Sequence, residues 1–143
     1  MIPPPRIPAA VEVTPSDDLA GFLFWMDDIG PGWQDVKSEL TEAFTGAREA
    51  AKSETSMVFI VKNDDLLGRN GPTRAMAAAG LVSAARTAAL EGVSKEWTAN
   101  VVAYDLVVSP TEVLGRAKFV LENGITTGEI IHLGPGHIGK ALI

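Results

Sequence analysis

PTRAMAAAGLVSAARTAALEG, residues Pro72 to Gly92, is the stretch whose reading decides the fold. It is long enough for about five helical turns, and proline suits the first helical position. After Arg74 its polar residues are Ser83, Arg86, Thr87 and Glu91, at helical spacing. They form one thin stripe. The remaining surface is Ala, Gly, Leu, Val and Met. A helix apolar on most sides is buried on most sides, so this one needs a sheet beneath it and a neighbour beside it.

The flanking segments supply the sheet. SMVFIVK upstream and TANVVAY downstream are continuous apolar runs rich in β-branched residues. Such runs fit strands covered on both faces, hence a parallel sheet. NDDLLGRNG, between the first strand and the helix, is turn-like. Farther upstream, WQDVKSELTEAFTGAREAAKSE is an amphipathic helix. Val36, Leu40, Ala43, Phe44, Ala47 and Ala51 share its apolar stripe, with charged residues opposite. Downstream, SPTEVLGRAKFVLENG carries full helix punctuation. Ser109 is the N-cap, Pro110 the first helical residue, Glu112 the partner in a capping box, and Gly124 the stop. EIIHL reads as the last strand, followed by GPGHIGKALI.

Nearer the start, MIPPPRIPAA is a proline-rich arm over residues 1–10, lacking the apolar core of a secretory signal. Val11–Val13 reads as a short strand. Ser16 then caps a short aromatic-rich helix, with Asp17 and Asp18 at its positive end. Leu19, Phe22, Leu23 and Met26 lie along it at helical spacing, and it stops at Gly30–Gly32. The order β–α–α–β–α–β–α–β predicts an α/β fold: a small three-layer, Rossmann-like partial fold with a short parallel sheet. One domain spans 11–136, and a tail follows over 137–143. A small sheet has edges to cover, which points to a partner.

The 143 residues are close to one ordinary domain, and 46% of them are hydrophobic. A net charge of −6 with singly scattered Lys and Arg argues against nucleic acid. The absence of cysteine excludes disulfides, thiol catalysis and zinc–thiolate sites, and suits a cytoplasmic protein. No apolar run reaches the length of a membrane span.

Candidate chemistry is sparse. GPGHIG, Gly134 to Gly139, matches the spacing of a dinucleotide loop. A dinucleotide loop requires a following helix and an acid about twenty residues on, and neither follows it. His132 and His137 are the only histidines, with no third ligand at a metal-binding spacing. His132 alternates with Ile131 and Leu133, which puts it on the opposite face of the last strand. Asp64 and Asp65 stand just beyond a strand's carboxyl end, where open α/β sheets place ligands. Tyr104 and Asp105 stand at the equivalent end of the next strand. These four define the cleft in which to look for acid/base chemistry, against the plain alternative that Asp64 and Asp65 are turn residues. Phe22, Phe24, Trp25 and Met26 form an aromatic cluster that serves as core, interface or ligand box. Arg86, alone in the middle of the Ala-rich helix, pairs with an acid or caps a loop.

Across roughly residues 33–136 the order of these pieces resembles the C-terminal half of the short-chain dehydrogenase/reductase family. MVFIVKNDDLLG is similar to the family's serine-bearing strand, and TRAMAAAGLVSAARTAALEG to the small-residue helix opened by Tyr-x-x-x-Lys. TANVVAYD is similar to the Val-Asn-x-Val-x-Pro-Gly strand, and EVLGRAKFVLENGITTGEIIHLGPG to the last helix, Thr-Gly turn and final strand. WQDVKSELTEAFTGAREAAK resembles the long helix before the serine strand. The resemblance assigns the serine position to Asp65, the tyrosine to Thr73 and the lysine to Ala77. An aliphatic hydroxyl is far less acidic than a phenol, and Ala77 removes the cation. The family's glycine-rich nucleotide loop has no counterpart in this sequence.

The resemblance therefore implies no cofactor and no catalytic set. It implies instead a non-catalytic subunit that assembles with itself or with an intact short-chain dehydrogenase. In the family two long helices pack against their copies in a neighbouring subunit, which assigns the interface to Val36, Leu40, Phe44, Ala78, Leu81, Ala85 and Ala89. The substrate is then the partner's, of the hydroxyacyl or ketoacyl class. Two alternatives stay open: a small repurposed enzyme using Asp65, Thr73 and either Tyr104 or Asp105 without a nucleotide, and a ligand-binding module built on the Trp25 cluster.

Overall fold

The structure, a computed structural model, describes residues 2–15 and 18–135. Four strands form one parallel sheet in the order β1-β2-β3-β4: β1 Phe22–Trp25, β2 Met57–Lys62, β3 Ala99–Tyr104 and β4 Ile130–Leu133. Between them run α1 (Trp33–Lys52), the short α2 (Asn63–Leu66), α3 (Pro72–Gly92) and α4 (Pro110–Asn123), with a 3₁₀ turn at Val93–Lys95. This is the small, Rossmann-like α/β architecture that the alternation of elements predicts. β2 and β3 are buried along nearly their whole length because helices lie over both faces.

Two cores flank the sheet. On one face α1 and α3 cover Phe22, Phe24, Met57, Phe59, Val61, Val101 and Ala103. On the other, α4 packs on Leu23, Trp25, Val58, Ile60, Val102 and Tyr104. The strands advance in one direction while α4 crosses on the face opposite to α1 and α3. Its crossover therefore has the opposite hand to theirs.

The first strand is a correction. Phe22–Trp25 is a strand, where the spacing of Leu19, Phe22, Leu23 and Met26 suggested a helix. Every residue from Phe22 to Met26 is apolar and buried, so the stretch satisfies either period. Aromatic enrichment and burial on both faces decide for the sheet. Val11–Val13 is not a strand. Its side chains, with those of Ile7 and Leu19, pack against the second core over the half of the sheet that α4 leaves bare. The expected cap at Ser16 lies outside the described residues, as do Asp17, the last residue of the domain, Gly136, and the tail over 137–143 with His137 and the end of GPGHIG.

The arm is part of the domain. Arg6 pairs in parallel with Phe24 on the outer edge of β1, and the Arg6 amide donates to the Leu23 carbonyl at 3.0 Å. Helix ends follow the sequence more closely. Ser109 Oγ accepts from the Glu112 amide at 3.2 Å, and Gly124 closes α4 at φ 57°. The capping box is only half made, because the Glu112 carboxylate pairs with Arg116 at 2.9 Å.

Candidate functional site

The carboxyl ends of the strands carry two groups of polar side chains, one around Arg74 and one joining Asn63 to Asp105. Asp65, in α2, is 2% exposed. Arg74, in the first turn of α3, lies alongside it. Nη2 donates to Asp65 Oδ2 at 3.2 Å, and Nε sits 2.9 Å from Oδ1 as an ion pair without hydrogen-bond alignment. Asn70 Nδ2 donates to the same Oδ1 at 2.8 Å. The Arg74 Nη2 also donates to Asp28, beyond β1, at 2.7 Å, and Lys62 Nζ reaches that Asp28 oxygen at 2.7 Å. Two acids are thus matched by two cations. A buried Asp65 without Arg74 would be an uncompensated charge, a change that costs about 3–5 kcal/mol.

Asn63 opens α2 and is 2% exposed. Its Nδ2 donates to Asp105 Oδ1 at 2.6 Å, tying the end of β2 to the end of β3, while its Oδ1 is buried without a hydrogen-bond partner. The chain leaving β4 passes close above Asp105. Gly134 takes φ 104°, and a Cβ there would stand 2.7 Å from the Asp105 Cβ, so only glycine fits. Trp25 Nε1 donates to Tyr104 Oη at 3.1 Å, inside the second core.

The ionisation states follow from these partners. Partial burial pushes Asp28 up, but the hydrogen bond and charge of Lys62 and the charge of Arg74 outweigh it and hold the carboxyl below its ordinary value. Burial pushes the Tyr104 phenol up. The Trp25 hydrogen bond works against this, and the charges of Asp28 and Asp65 add to it. Asp28 is therefore ionised and Tyr104 a neutral phenol near pH 7, and neither is poised there as an acid/base group.

Of the four cleft residues, the structure ties Asp65 to Arg74 and Asp105 to Asn63. Asp64 turns outward to Arg69 at 3.0 Å, and Tyr104 belongs to the core. The Thr73 hydroxyl donates to the Gly30 carbonyl at 3.2 Å, and Ala77 is buried beneath the helix. Asp28, Lys62, Asn63, Asn70 and Arg74 were not foreseen as site residues. An arginine opening an otherwise apolar helix was the one visible signal. The aromatic residues Phe22, Phe24 and Trp25 are at most 3% exposed and interlock with Phe59 and Tyr104, so they are core rather than a ligand box. Among the described residues no group of His, Cys, Asp or Glu is arranged to hold a metal ion, and no helix is long and apolar enough to cross a membrane. His132 is exposed while Ile131 and Leu133 pack inward, as their alternation predicts.

A second feature lies along α1 and α3. Val36, Ala78, Leu81, Ala85 and Ala89, assigned to an intersubunit face, are at most 5% exposed and covered by the chain's own sheet. The most apolar stripe of each helix turns inward, because the sheet offers the largest apolar surface. What remains outside is a groove of about 580 Å³ between the two helices, floored by Leu40, Ala47, Gly80, Ala84 and Ala88. Phe44 stands at its wall, 64% exposed. Arg48, Lys52, Glu54 and Glu91 lie along the rim. Arg86 is exposed on the other flank of α3, and among the described residues it makes no ion pair.

No family model matches this chain, and no curated protein matches it.

Proposed function

We propose that this chain is a non-catalytic assembly subunit of the short-chain dehydrogenase type. It associates through the groove between α1 and α3, with a second copy of itself or with an intact short-chain dehydrogenase, whose substrate is then the one turned over. One observation carries the proposal: the uncovered apolar groove along the outer flanks of two long helices, with Phe44 exposed at its wall. Exposed apolar surface of this kind marks interaction sites, and Gly80 with three alanines lets a facing helix approach closely. The lack of redox equipment supports the same conclusion. Asp65 is tied up by Arg74, Thr73 offers only an aliphatic hydroxyl, and Ala77 offers nothing. Asn100 adds support from the resembling strand pattern. It is fully buried and ties the segment before β4 to β3, accepting from the Glu129 amide and donating to the Thr126 carbonyl.

Phe44→Glu tests the proposal without touching the core. Sedimentation should show the wild-type chain as a dimer, or bound to a dehydrogenase when isolated from its host, and the variant as a folded monomer. Ala85→Glu does not serve, because Ala85 is buried against the sheet and the variant would unfold. A wild-type chain that sediments as a monomer and leaves its host without a dehydrogenase sinks the proposal.

A further inference from the structure

The outer edge of β1 is a row of backbone donors and acceptors that needs a partner. One residue of the arm meets it. The Arg6 amide donates to the Leu23 carbonyl at 3.0 Å, and the Trp25 amide donates to the Arg6 carbonyl at 2.9 Å. Pro5 and Pro8 stand on either side of this bridge; a proline has no amide hydrogen to extend a ladder, so pairing stays short.

The arginine side chain does more. Nε and Nη2 donate to the Trp25 carbonyl at 3.1 and 2.9 Å. Nη1 donates to Glu39 Oε1 at 3.0 Å and to Glu42 Oε2 at 2.5 Å, and Nη2 donates to Glu39 Oε2. The guanidinium carbon lies 4.1 Å from the centre of the Phe24 ring. Glu39 is 6% exposed, and its Oε2 also accepts from the Asp27 amide at 2.7 Å. The receiving groups all belong to β1, to α1 or to the turn between them. To this socket the arm contributes one residue, Arg6, while Ile7 and Pro8 beside it pack inward, and the proline-rich segment that carries it is already extended and loses little entropy on docking. A buried carboxylate, a free carbonyl, an aromatic face and an open strand edge together make a socket for an arginine within an extended peptide.

We propose that the β1 edge with Glu39 and Glu42 is a binding site for an extended, proline-flanked arginine segment, filled in cis by residues 2–8 of this chain. The arm is then a tethered peptide ligand. While seated it closes this edge of the sheet to other strands. The site does not depend on the groove being an interface, and its readouts are separate from those of Phe44→Glu.

The test uses the full chain carrying Arg6→Ala and a synthetic peptide of residues 2–9, IPPPRIPA. The variant should melt about 5 °C or more below wild type and lose hydrogen-exchange protection at the Trp25 amide. Added peptide should bind the variant in trans, raise its melting temperature and restore that protection. The same peptide with alanine for arginine should do neither, and the wild-type chain, its socket full, should not respond. If Arg6→Ala does not fold, Arg6→Lys replaces it: charge is kept, the planar fork is lost, and the wild-type peptide should displace the weakened arm. A silent peptide overturns the proposal whether or not the variant loses stability, since the contact would then be packing and not a separable site.

Discussion

Arg74 holds two carboxylates that come from different elements, Asp65 in α2 and Asp28 beyond β1. Asp65 was readable as a candidate because paired acids at a strand end are conspicuous. Its counter-ion was less so, and Asp28 not at all, because that contact exists only once β1 lies beside β2. The partners of Asp28 make its stability contribution dependent on pH. Its folded pKa lies below its ordinary value of 3.8, so the contribution is present above that value and is lost as acid carries the pH through the lower folded value. Wild type should therefore lose more stability than Asp28→Asn as the pH falls from about 4 to about 2. Urea melts across that range measure this, and parallel curves for the two proteins would show that Asp28 is not coupled to Lys62 and Arg74 in the folded state.

At the scale of the element, α1 comes closest to Phe22 of β1 at Gly46. A Cβ at Gly46 would stand 2.2 Å from Phe22 Cζ, and Phe22 is only 3% exposed, with Phe24 and Phe59 against it. Gly46→Ala should destabilise the fold by about 1–3 kcal/mol through overpacking, although alanine is the better helix former by about 1 kcal/mol. Gly80 is the contrast. A Cβ there meets the tip of the Leu40 side chain at 2.9 Å, beside the open groove, where that tip can move. Gly80→Ala should leave stability unchanged or raised. Chemical denaturation of both variants separates the two sites, and equal losses would contradict this account of how the helices pack. The three long helices were legible because they carry their own period or caps: the α1 stripe, Pro72, Ser109 and Gly124. β1 was not, since five consecutive apolar residues carry no period, and only the sheet assigns them.

Across the whole molecule, stability should be graded along the sheet. β2 and β3 are hydrogen-bonded on both sides and buried on both faces, while β4 is an edge strand of intermediate exposure. Amides of β2 and β3 should exchange only through global unfolding and those of β4 through cheaper local opening, a difference that hydrogen exchange with mass spectrometry resolves. Protection in β4 equal to that in β3 would mean that a partner or another segment covers the edge. The sequence by itself determined the types of α1, β2, α3, β3, α4 and β4, the parallel α/β order, and the polar stripe of α3, which is exposed at Ser83, Arg86, Thr87 and Glu91 as its spacing requires, whereas Asn63–Leu66, in a stretch that reads as a turn, forms the short α2. Those properties are local: period, caps and β-branching act over a few residues. Only the tertiary structure decided which flank of α3 faces the sheet, that α4 crosses on the opposite face, and that Arg6 closes the β1 edge. Each of these depends on apolar area and charge brought together from distant parts of the chain, and no short-range pattern encodes such an approach.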